Sequence, residues 1–360
     1  MTGFLRALSL DGFRPGKAPA GSSAAELFDV KELAGVAAAA EAAGVDLLTL
    51  GDPLAASAGA GIGLSAAETL AFLARKTRRI GLLPATSSHY TEPFHAAKAI
   101  ATLDFISGGR AGVLVDYGQS AGADAHYPEL APASPEVRVD QAGEFTEVLR
   151  KLWDSWEDGA EIRDRVTGRY VDAAKVHSIN HLGSHFTVKG PLITPRPPQG
   201  QPVVALRLDP GLRGEPGWSG LLALAAGQAD VVLLSGSGPV DPAQAGAVAT
   251  ELREAAGNRS RLRVLVRIEV GGPAAVGAAA AVAAADRLRT DGLVDGVEFT
   301  LAGPWAAPDA RELLDLVTAS AAAASGEPNT PEGSTLRSRL GLDRPLSRYA
   351  AAAVGTATAG

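Results

Sequence analysis

Residues 79–116 read RIGLLPATSSHYTEPFHAAKAIATLDFISGGRAGVLVD, and this stretch contains the repeating pattern that indicates the fold class. An apolar run at 79–84 is followed by a helical pattern at 92–106 and by a second apolar run at 112–116. Short apolar runs bounded by glycine, proline and polar residues predict buried strands, and the longer segment between them predicts a helix. Two successive strands joined by a helix run parallel in a sheet. The stretch therefore predicts one strand–helix–strand unit of an α/β protein.

The same alternation of strand and helix recurs along the whole chain. The predicted strands are residues 4–10, 45–50, 79–84, 112–116, 202–208, 229–234, 262–270 and 296–301. The predicted helices are residues 30–43, 66–76, 92–106, 135–156, 221–226, 242–256, 274–290 and 309–324. Strict alternation requires a parallel sheet that is covered by helices. This pattern over 360 residues predicts a closed (β/α)8 TIM barrel that forms one domain over residues 1–360.

An open doubly wound sheet is the alternative to the barrel. Such a sheet would carry a GxGxxG phosphate-binding turn after its first strand. Residues 11–16 read DGFRPG, which does not have that glycine spacing. The sequence therefore favours the barrel.

Two segments lie outside the strand–helix units. Residues 158–200 lie between the fourth predicted helix and the fifth predicted strand, and they are rich in charged residues, histidine and proline. A long polar excursion inside a compact domain is usually a functional loop, so we expect this insertion to form a lid over the binding site. Residues 325–360 form a C-terminal tail.

The composition limits the classes of function. The net charge is −7 and the sequence pI is about 5.5. Nucleic-acid binding needs a basic surface, so we expect no nucleic-acid partner. Hydrophobic residues make up 46% of the chain, which is enough for a large core. The chain has no cysteine, which excludes disulfides and thiol catalysis and leaves histidine and carboxylates as the available metal ligands.

The N-terminal residues MTGFLRALSLDGF lack the basic segment and the long apolar run of a secretory signal. The alanine-rich runs at 34–43 and 274–285 are too short and too weakly apolar to span a bilayer. We therefore expect a cytoplasmic protein that has no membrane partner.

The carboxyl ends of the strands form the mouth of a barrel, where active sites lie. The polar residues at the predicted strand ends are Asp11, Asp52, Thr86, Ser87, Ser88, His89, Tyr90, Asp116, Tyr117, Arg207, Asp209, Ser235, Ser237, Glu269 and Thr300. His89 is the candidate catalytic residue, because an imidazole beside hydroxyl groups can act as a general base or contact a substrate. A purely structural role for His89 is the alternative. Arg267 and Glu269 alternate within the seventh strand, so an inward-facing pair would form a salt bridge.

His177, His181 and His185 are spaced four residues apart in the insertion. On a helix this spacing would align the three imidazoles on one face, as a metal site requires. Gly183 and the β-type residues that follow His185 argue against a helix. We therefore expect a hairpin-like insertion and no metal.

Several segments of the chain resemble one enzyme family. They are residues 86–95 (TSSHYTEPFH), 101–112 (ATLDFISGGRAG), 152–156 (LWDSW), 168–170 (GRY), 175–177 (KVH), 195–203 (PRPPQGQPV) and 335–342 (TLRSRLGL). These segments resemble the bacterial luciferase-like flavin monooxygenases, in particular the branch of the nitrilotriacetate and dibenzothiophene-sulfone monooxygenases. The resemblance implies a (β/α)8 barrel, reduced FMN supplied by a separate flavin reductase, and oxygenation of a small organic substrate.

The resemblance also implies cofactor-binding residues. Asp52 matches the family's Ala-Asp-x-Leu-Ala motif, and Ser88, with Ser87 beside it, stands where a threonine usually contacts the flavin. Other positions depart from the family pattern. The residues that replace polar flavin contacts are Leu114, Pro135 and Val139.

The phosphate loop of the family is replaced as well. Asp209 and Pro210 follow the fifth strand, where the family pattern reads roughly Gln-Ala-Gly-Ser-Ser. Pro210 has no amide hydrogen, and Asp209 would place a carboxylate beside the phosphate dianion. Arg207 and Arg213 would restore attraction if they point toward the phosphate, because arginine binds phosphate in a bidentate manner.

Three functions follow from these observations. The first is an FMN-dependent monooxygenase with a changed flavin site. The second is a catalytically degenerate paralogue that pairs with an active homologue. The third is an oxidoreductase that uses the deazaflavin F420. The family commonly dimerises through the helices after strands two and three, here residues 66–76 and 92–106, so we expect a homodimer or a heterodimer with a homologue.

Overall fold

The computed structural model of the chain describes residues 3–13, 30–52, 63–118, 125–130, 134–236, 238–257, 262–271, 276–303, 305–323 and 333–350. The barrel strands are β1 (Leu5–Ser9), β2 (Leu47–Leu50), β3 (Gly81–Ser87), β4 (Gly112–Asp116), β7 (Val203–Leu208), β8 (Val231–Leu234), β9 (Arg263–Val270) and β10 (Gly296–Leu301). Two short strands outside the barrel are β5 (His181–Leu182) and β6 (Thr187–Val188). The helices are α1 (Val30–Ala42), α2 (Ala66–Ala74), α3 (Pro93–Ser107), α4 (Pro135–Asp154), α5 (Trp218–Gln228), α6 (Pro242–Ala256), α7 (Ala278–Asp291), α8 (Ala307–Ala323) and α9 (Leu336–Arg339).

The barrel strands close into a ring, which confirms the predicted TIM barrel. Each strand pairs in parallel with its neighbours, and β10 returns to β1. The predicted bounds of β4 and β10 coincide with the observed bounds. Helix α5 is longer than predicted and runs over Trp218–Gln228. Among the described helices none combines the length and apolar character that a bilayer span needs.

The apolar side chains of the barrel strands belong to two hydrophobic cores, one inside the barrel and one between the strands and the helices. Leu83 and Ala85 of β3 face the barrel interior, whereas Leu82 faces the shell between the strands and the helices. The interior core continues around the ring with inward residues of the other strands except β10, whose inward position 298 holds a glutamate. Both faces of a parallel sheet are covered by other elements, which explains why the strands are largely apolar, apart from the charged and polar residues near the mouth.

Local signals in the sequence set the ends of several helices. Helix α3 begins with Pro93 at its first turn and ends at Gly108, whose φ of 69° is left-handed. A proline is tolerated where no amide donor is needed, and a glycine adopts the left-handed conformation without strain. Ser134 caps α4 by accepting a hydrogen bond from the Val137 amide, and Asp241 caps α6 through the Gln244 amide.

The C-terminal segment 333–350 closes the N-terminal end of the barrel. The interior core includes three leucines of this segment, which pack at the N-terminal ends of the strands: Leu336, Leu340 and Leu342. Gly81 at the start of β3 leaves room for this contact, because a Cβ atom there would lie 2.8 Å from Leu336 Cδ1. The barrel is therefore a packed core at this end.

A buried ion pair anchors the same segment. Asp230, which precedes β8, lies between Arg150 of α4 and Arg337 of α9, at 3.3 and 3.1 Å. Burial alone would raise the pKa of the Asp230 carboxyl, but the two guanidinium groups and the Val204 amide lower it below its ordinary value. This arrangement ties the end of the chain to α4.

The insertion lies on the flank and the N-terminal end of the barrel. At its exit Arg196 contacts Asp154 at 3.0 Å, and Gln199 donates to Asp104 at 2.6 Å near the C-terminal end of α3. Its hairpin of β5 and β6 lies against α4, where Glu144 accepts hydrogen bonds from the His185 and Phe186 amides. A connection from a helix to the next strand enters the barrel from its N-terminal end. These contacts place the exit of the insertion at the N-terminal end of the barrel and its hairpin along the outer face of α4, and the lid over the mouth stays a prediction.

Candidate functional site

The floor of the barrel mouth is a network of charged side chains centred on Glu298. This carboxylate of β10 is fully buried. Its Oε1 accepts a hydrogen bond from Thr49 Oγ1 at 2.6 Å, and its Oε2 accepts from Arg267 Nε at 2.8 Å. Arg207 Nη1 of β7 donates to the same Oε2 at 3.3 Å. One carboxylate therefore binds two arginines that enter from different strands.

The barrel register brings these residues together. Glu298 and Arg267 are paired positions of β10 and β9, so their side chains point to the same side. Both residues lie on the inward face, because Leu265, two positions before Arg267, belongs to the interior core. The predicted partner of Arg267 is Glu269, whereas the observed hydrogen-bond partner is Glu298.

Asp11 adds a second carboxylate at the edge of this network. Its Oδ1 accepts a hydrogen bond from the Gly51 amide at 2.6 Å. Its Oδ2 lies 3.7 Å from Arg207 Nη2 and 3.8 Å from Arg267 Nη2, which is ion-pair range but too long for a hydrogen bond. Burial raises the pKa of the Asp11 carboxyl, and the Arg267 charge opposes that rise. Trp305 Nε1 donates to the Asp11 carbonyl at 2.6 Å and fixes this loop.

The four charges of the network neutralise one another. Two guanidinium groups face two carboxylates, and each arginine side chain keeps 22% of its surface exposed. Burial lowers the pKa of Arg267, but Glu298 and Asp11 overcome this effect and raise it. Charges that are paired in this way have little residual attraction for a further anion.

The candidate cofactor residues after β2 and β3 are engaged with the protein. Asp52 Oδ1 accepts a hydrogen bond from the Ala66 amide at 3.2 Å, at the start of α2. Ser87 Oγ accepts from the His89 and Tyr90 amides at 3.2 and 3.3 Å. Ser88 is buried and donates to the Asp116 carbonyl at 3.1 Å. Each side chain stabilises the loop that carries it.

His89 connects three parts of the mouth rim. Its Nδ1 lies 2.8 Å from Gln141 Oε1 of α4, and its Nε2 lies 2.7 Å from the Leu130 carbonyl. Its ring also packs edge-on against Tyr90. Both ring nitrogens therefore have protein partners in this structure, which supports the structural alternative for His89.

The family positions on β4 are enclosed by protein, whereas Pro135 of α4 is exposed and Val139 is half-buried. Val113 and Leu114 have no exposed surface, and Leu114 belongs to the barrel interior. Pro135 and Val139 lie beside the start of α5, since Cβ atoms at Gly217 and Gly220 would lie 3.5 Å from Pro135 Cβ and 3.7 Å from Val139 Cγ1. Val139 lines a groove of about 630 Å³ between α4 and α5, on the outside of the barrel.

The backbone amides of the turn after β7 donate hydrogen bonds to acceptors within the same turn. Asp209 Oδ1 accepts the Gly211 amide at 2.8 Å, and the Asp209 carbonyl accepts the Leu212 amide at 3.0 Å. The Arg213 amide donates to the Pro210 carbonyl at 3.2 Å. The Arg213 guanidinium forms an ion pair with Glu251 of α6, so it lies apart from Arg207.

A phosphate dianion therefore does not fit this turn. Phosphate sites need free backbone amides and positive charge. The amides after Asp209 are already bonded, Pro210 has none, and the nearby guanidinium groups of Arg207 and Arg213 are paired with Glu298 and Glu251.

The three histidines of the insertion pair with three different carboxylates. His177 Nε2 lies 2.6 Å from Glu157 Oε1, and His181 Nε2 lies 2.9 Å from Glu144 Oε1. His185 Nε2 lies 2.9 Å from Asp140 Oδ2. Across the described ranges no group of three or more histidine, aspartate or glutamate side chains has the arrangement of a metal site.

Glu298 and Thr49 belong to the mouth floor but are missing from the residues predicted from the sequence. Glu298 lies within an otherwise apolar strand, two positions before Thr300, which is predicted at the mouth. A carboxylate on the inward face of a buried strand is costly unless it is paired. That cost is the signal that could have identified Glu298.

The comparisons with known proteins agree with the fold. Residues 9–356 match the family described as luciferase-like monooxygenase. One of the subunits of pristinamycin IIA synthase from Streptomyces pristinaespiralis is 34% identical over 312 residues, which is 87% of this chain and 89% of that protein. The solved long-chain alkane monooxygenase has a TM-score of 0.78 at 19% identity, over 94% of this chain and 96% of that one, and so shares the fold.

Other relatives match over a shorter stretch. N-acetyl-S-(2-succino)cysteine monooxygenase from Bacillus subtilis (strain 168) is 42% identical over 135 residues, which is 38% of this chain. The chain spans only 31% of the length of that relative. The match over residues 9–356 and the long alignment with the synthase subunit nevertheless cover nearly the whole chain. The chain belongs to the luciferase-like monooxygenase family.

Proposed function

We propose that this chain is one subunit of a two-chain flavin-dependent monooxygenase, in which a homologous subunit binds the reduced FMN. The observation that carries this proposal is the mouth floor. Glu298, Arg207 and Arg267 are bound to one another on the floor of the mouth, where the active site of a barrel lies, so their charges are already paired. In this assignment the chain contributes stability and an interface, and the partner contributes the oxygenation of a small organic substrate.

Family membership supports the reaction type. A separate flavin reductase is expected to supply the reduced FMN. The relative that aligns along nearly the whole chain is named as a subunit of pristinamycin IIA synthase. A second subunit of the same synthase is 39% identical to this chain over 137 residues, so that synthase is named with two subunits that both resemble this chain. The proposal extends such an arrangement to this chain.

The surface for the partner is expected on α2 and α3. Phe105 and Ile106 of α3 are 45% and 38% exposed, and Leu64, just before α2, is 40% exposed. Phe105 and Ile106 form an exposed apolar pair at the C-terminal end of α3, whereas Leu64 lies at the opposite, N-terminal end of α2. Exposed large apolar side chains are typical of protein–protein contacts. A homologous barrel that presents the same helices would form a two-fold or pseudo-two-fold interface.

The second candidate is a self-contained FMN-dependent monooxygenase. It is favoured by the partial exposure of Arg207 and Arg267, which face the mouth with 22% of their side-chain surface. A reduced flavin carries negative charge on its ring system, so two arginines at the floor could attract it. In this case the isolated chain would bind the flavin without a partner.

The test begins with the isolated chain. Light scattering gives its oligomeric state, and anaerobic fluorescence titration gives its affinity for reduced FMN. The two-chain proposal predicts a dissociation constant weaker than about 10 µM and no oxygen-dependent turnover with a flavin reductase. An isolated homodimer that binds reduced FMN more tightly and turns over would establish the second candidate instead.

The second part of the test uses the proposed interface. The tagged chain is expressed in its native host, and a co-purifying luciferase-like chain is identified by mass spectrometry and then reconstituted with it. The variant Phe105→Asp/Ile106→Asp should abolish the 1:1 complex. The control Ile193→Asp, at a 67% exposed position of the insertion, should leave it intact. Equal complex formation by both variants would remove α3 from the interface.

A further inference from the structure

We infer that the Asp209 carboxylate is an internal substitute for the phosphate of the flavin, so that this barrel has no preference for a phosphorylated flavin. The inference deepens the proposed function and rests on it, because a subunit that leaves FMN to its partner has no need of a phosphate site. It is tested on the isolated chain, separately from any partner.

The position of Asp209 supports this role. The residue follows β7 directly, where the family pattern places its phosphate loop. Its Oδ1 accepts the Gly211 amide at 2.8 Å, a bond that a phosphate oxygen would otherwise accept. Gln244 Nε2 of α6 donates to the Pro210 carbonyl at 2.9 Å and holds the turn in place. The Asp209 carboxylate therefore already accepts the amide hydrogen of Gly211, which a phosphate oxygen would need.

Two glycines make room for the carboxylate. A Cβ atom at Gly236, after β8, would lie 2.7 Å from Asp209 Oδ1, and one at Gly211 would lie 3.0 Å from the same atom. At Gly236 a side chain would require the carboxylate to move, and at Gly211 the contact would be tight. The carboxylate therefore lies in a space bounded by two adjacent loops of the mouth.

The surrounding charges oppose a second anion. Tyr117 Oη donates to the Arg207 carbonyl at 2.5 Å. Burial raises the pKa of the Tyr117 hydroxyl, and the negative charges of Asp116 and Asp209 raise it further. A phosphate dianion at this turn would meet both carboxylates. The guanidinium of Arg213, which would compensate it, is bound to Glu251.

The experiment compares reduced FMN with reduced riboflavin, which lacks the phosphate. Both are titrated anaerobically into the isolated chain, and the ratio of the two dissociation constants is measured. The wild-type chain should bind the two weakly and within about threefold of each other, or bind neither. If it binds neither, a gain of binding for FMN but not for riboflavin in the Asp209 variant described next is the supporting result, and no gain overturns the inference. The variant Asp209→Ser frees the Gly211 amide and removes the negative charge, so it should favour FMN by at least about tenfold.

Two further variants make the result decisive. Asp209→Asn keeps an oxygen for the Gly211 amide but removes the charge, so it should fold like the wild type and shift the ratio by a smaller factor toward FMN. Asp172→Ser is the matched control, because Asp172 Oδ1 accepts the Ala174 amide at 3.3 Å in a similar short turn of the insertion. The control should leave the ratio unchanged.

The outcomes separate this inference from the proposed function. A wild-type chain that prefers FMN over riboflavin by tenfold or more overturns the inference, as does an unchanged ratio in both Asp209 variants. A gain of FMN preference in Asp209→Ser supports it. The proposed function fails on different evidence, namely turnover by the isolated chain or the lack of a 1:1 complex with a homologue.

Discussion

Glu298 and Arg267 occupy paired positions of adjacent strands, and Glu298 Oε2 accepts a hydrogen bond from Arg267 Nε at 2.8 Å. Because Glu298 has no exposed surface, this bond and the contact with Arg207 offset the cost of burying its charge. A change to this pair should therefore affect both the stability of the barrel and the charges that line its mouth.

Glu298→Gln should destabilise the barrel. The substitution keeps the shape of the side chain but leaves Arg207 and Arg267 without their shared carboxylate. Loss of one partner of a buried ion pair typically costs about 3 to 5 kcal/mol, and the partial exposure of both arginines favours the lower end. Urea unfolding measures the change. Glu269→Gln, on the same face of the barrel, is the control and should cost less than about 1 kcal/mol.

Replacement of the whole network should be better tolerated. In Arg207→Met/Arg267→Met/Glu298→Leu no charge of the Glu298 network remains unpaired except that of Asp11, which is partly exposed. Apolar replacement of a buried ion network is often neutral or stabilising. We expect the triple variant to unfold at a higher urea concentration than Glu298→Gln. A triple variant that is less stable than Glu298→Gln would contradict this account of the network.

Asp104 should make the stability of the protein depend on pH. Burial raises the pKa of the Asp104 carboxyl from 3.8 to about 6, although hydrogen bonds from Gln199 and Ala111 oppose the rise. The folded state then binds a proton more tightly than the unfolded state. This contribution is fully present below pH 4 and is lost as the pH rises through 6, with a total on the order of 3 kcal/mol.

The measurement compares the wild type with Asp104→Asn between pH 4.5 and 7.5. The variant cannot ionise, so the wild-type advantage in the free energy of unfolding should shrink as the pH rises. Asp315→Asn, at an exposed site of α8, controls for the general effect of removing a carboxylate. A wild-type advantage that grows with pH would show that the hydrogen bonds to Asp104 outweigh its burial.

Leu336→Ala should strongly destabilise the closed end of the barrel. Leu336 is 1% exposed and lies against Gly81 and Leu47. Truncation of a buried leucine costs about 2 to 5 kcal/mol, because it removes apolar contact and leaves a cavity. Leu346→Ala, at a position that is 75% exposed, should cost less than about 0.5 kcal/mol. Thermal unfolding of the two variants gives the comparison.

Gly183→Ala should loosen the hairpin of the insertion. A Cβ atom at this position would overlap Glu144 Oε1 and lie 2.6 Å from His181 Nε2, so the Glu144 side chain would have to move. We expect a loss of about 1 to 3 kcal/mol as the hydrogen bonds to Glu144 break. Faster hydrogen exchange of the Phe186 amide would report the change directly. A protected Phe186 amide in the variant would contradict it.

Gly35→Ala is the contrasting substitution. Gly35 lies within α1, is exposed, and has no heavy atom within 4 Å of the place that an alanine methyl group would take. Alanine is the better helix former by about 1 kcal/mol at such a site. The melting temperature of this variant should therefore rise, whereas that of Gly183→Ala should fall.

The strands of the barrel were predictable because burial on both faces makes them continuous apolar runs. Residues 112–116 and 296–301 were predicted with the observed bounds, since each run begins at a glycine. The first turn of α5 was not predicted. Its residues Trp218 to Gly220 follow a glycine-rich and proline-rich stretch that resembles a loop.

The side-chain contacts at the barrel mouth were less predictable, because they form between residues of different strands. Arg267 and Glu269 were predicted to share one face of their strand, but the partner of Arg267 lies on the neighbouring strand, which only the register reveals. The insertion was predicted as a lid from its polarity alone. Polarity cannot tell the two ends of a barrel apart, whereas the position after a helix points to the N-terminal end.

The segment 333–350 can pack against the barrel only late in synthesis of the chain. Its leucines seal the barrel, and Arg344 contacts Asp158 of the insertion at 2.7 Å. The ribosome delivers these residues only after all the barrel strands have emerged. Until they fold back, the apolar side chains at the N-terminal end of the barrel stay open to solvent, so closure of this end follows the formation of the ring.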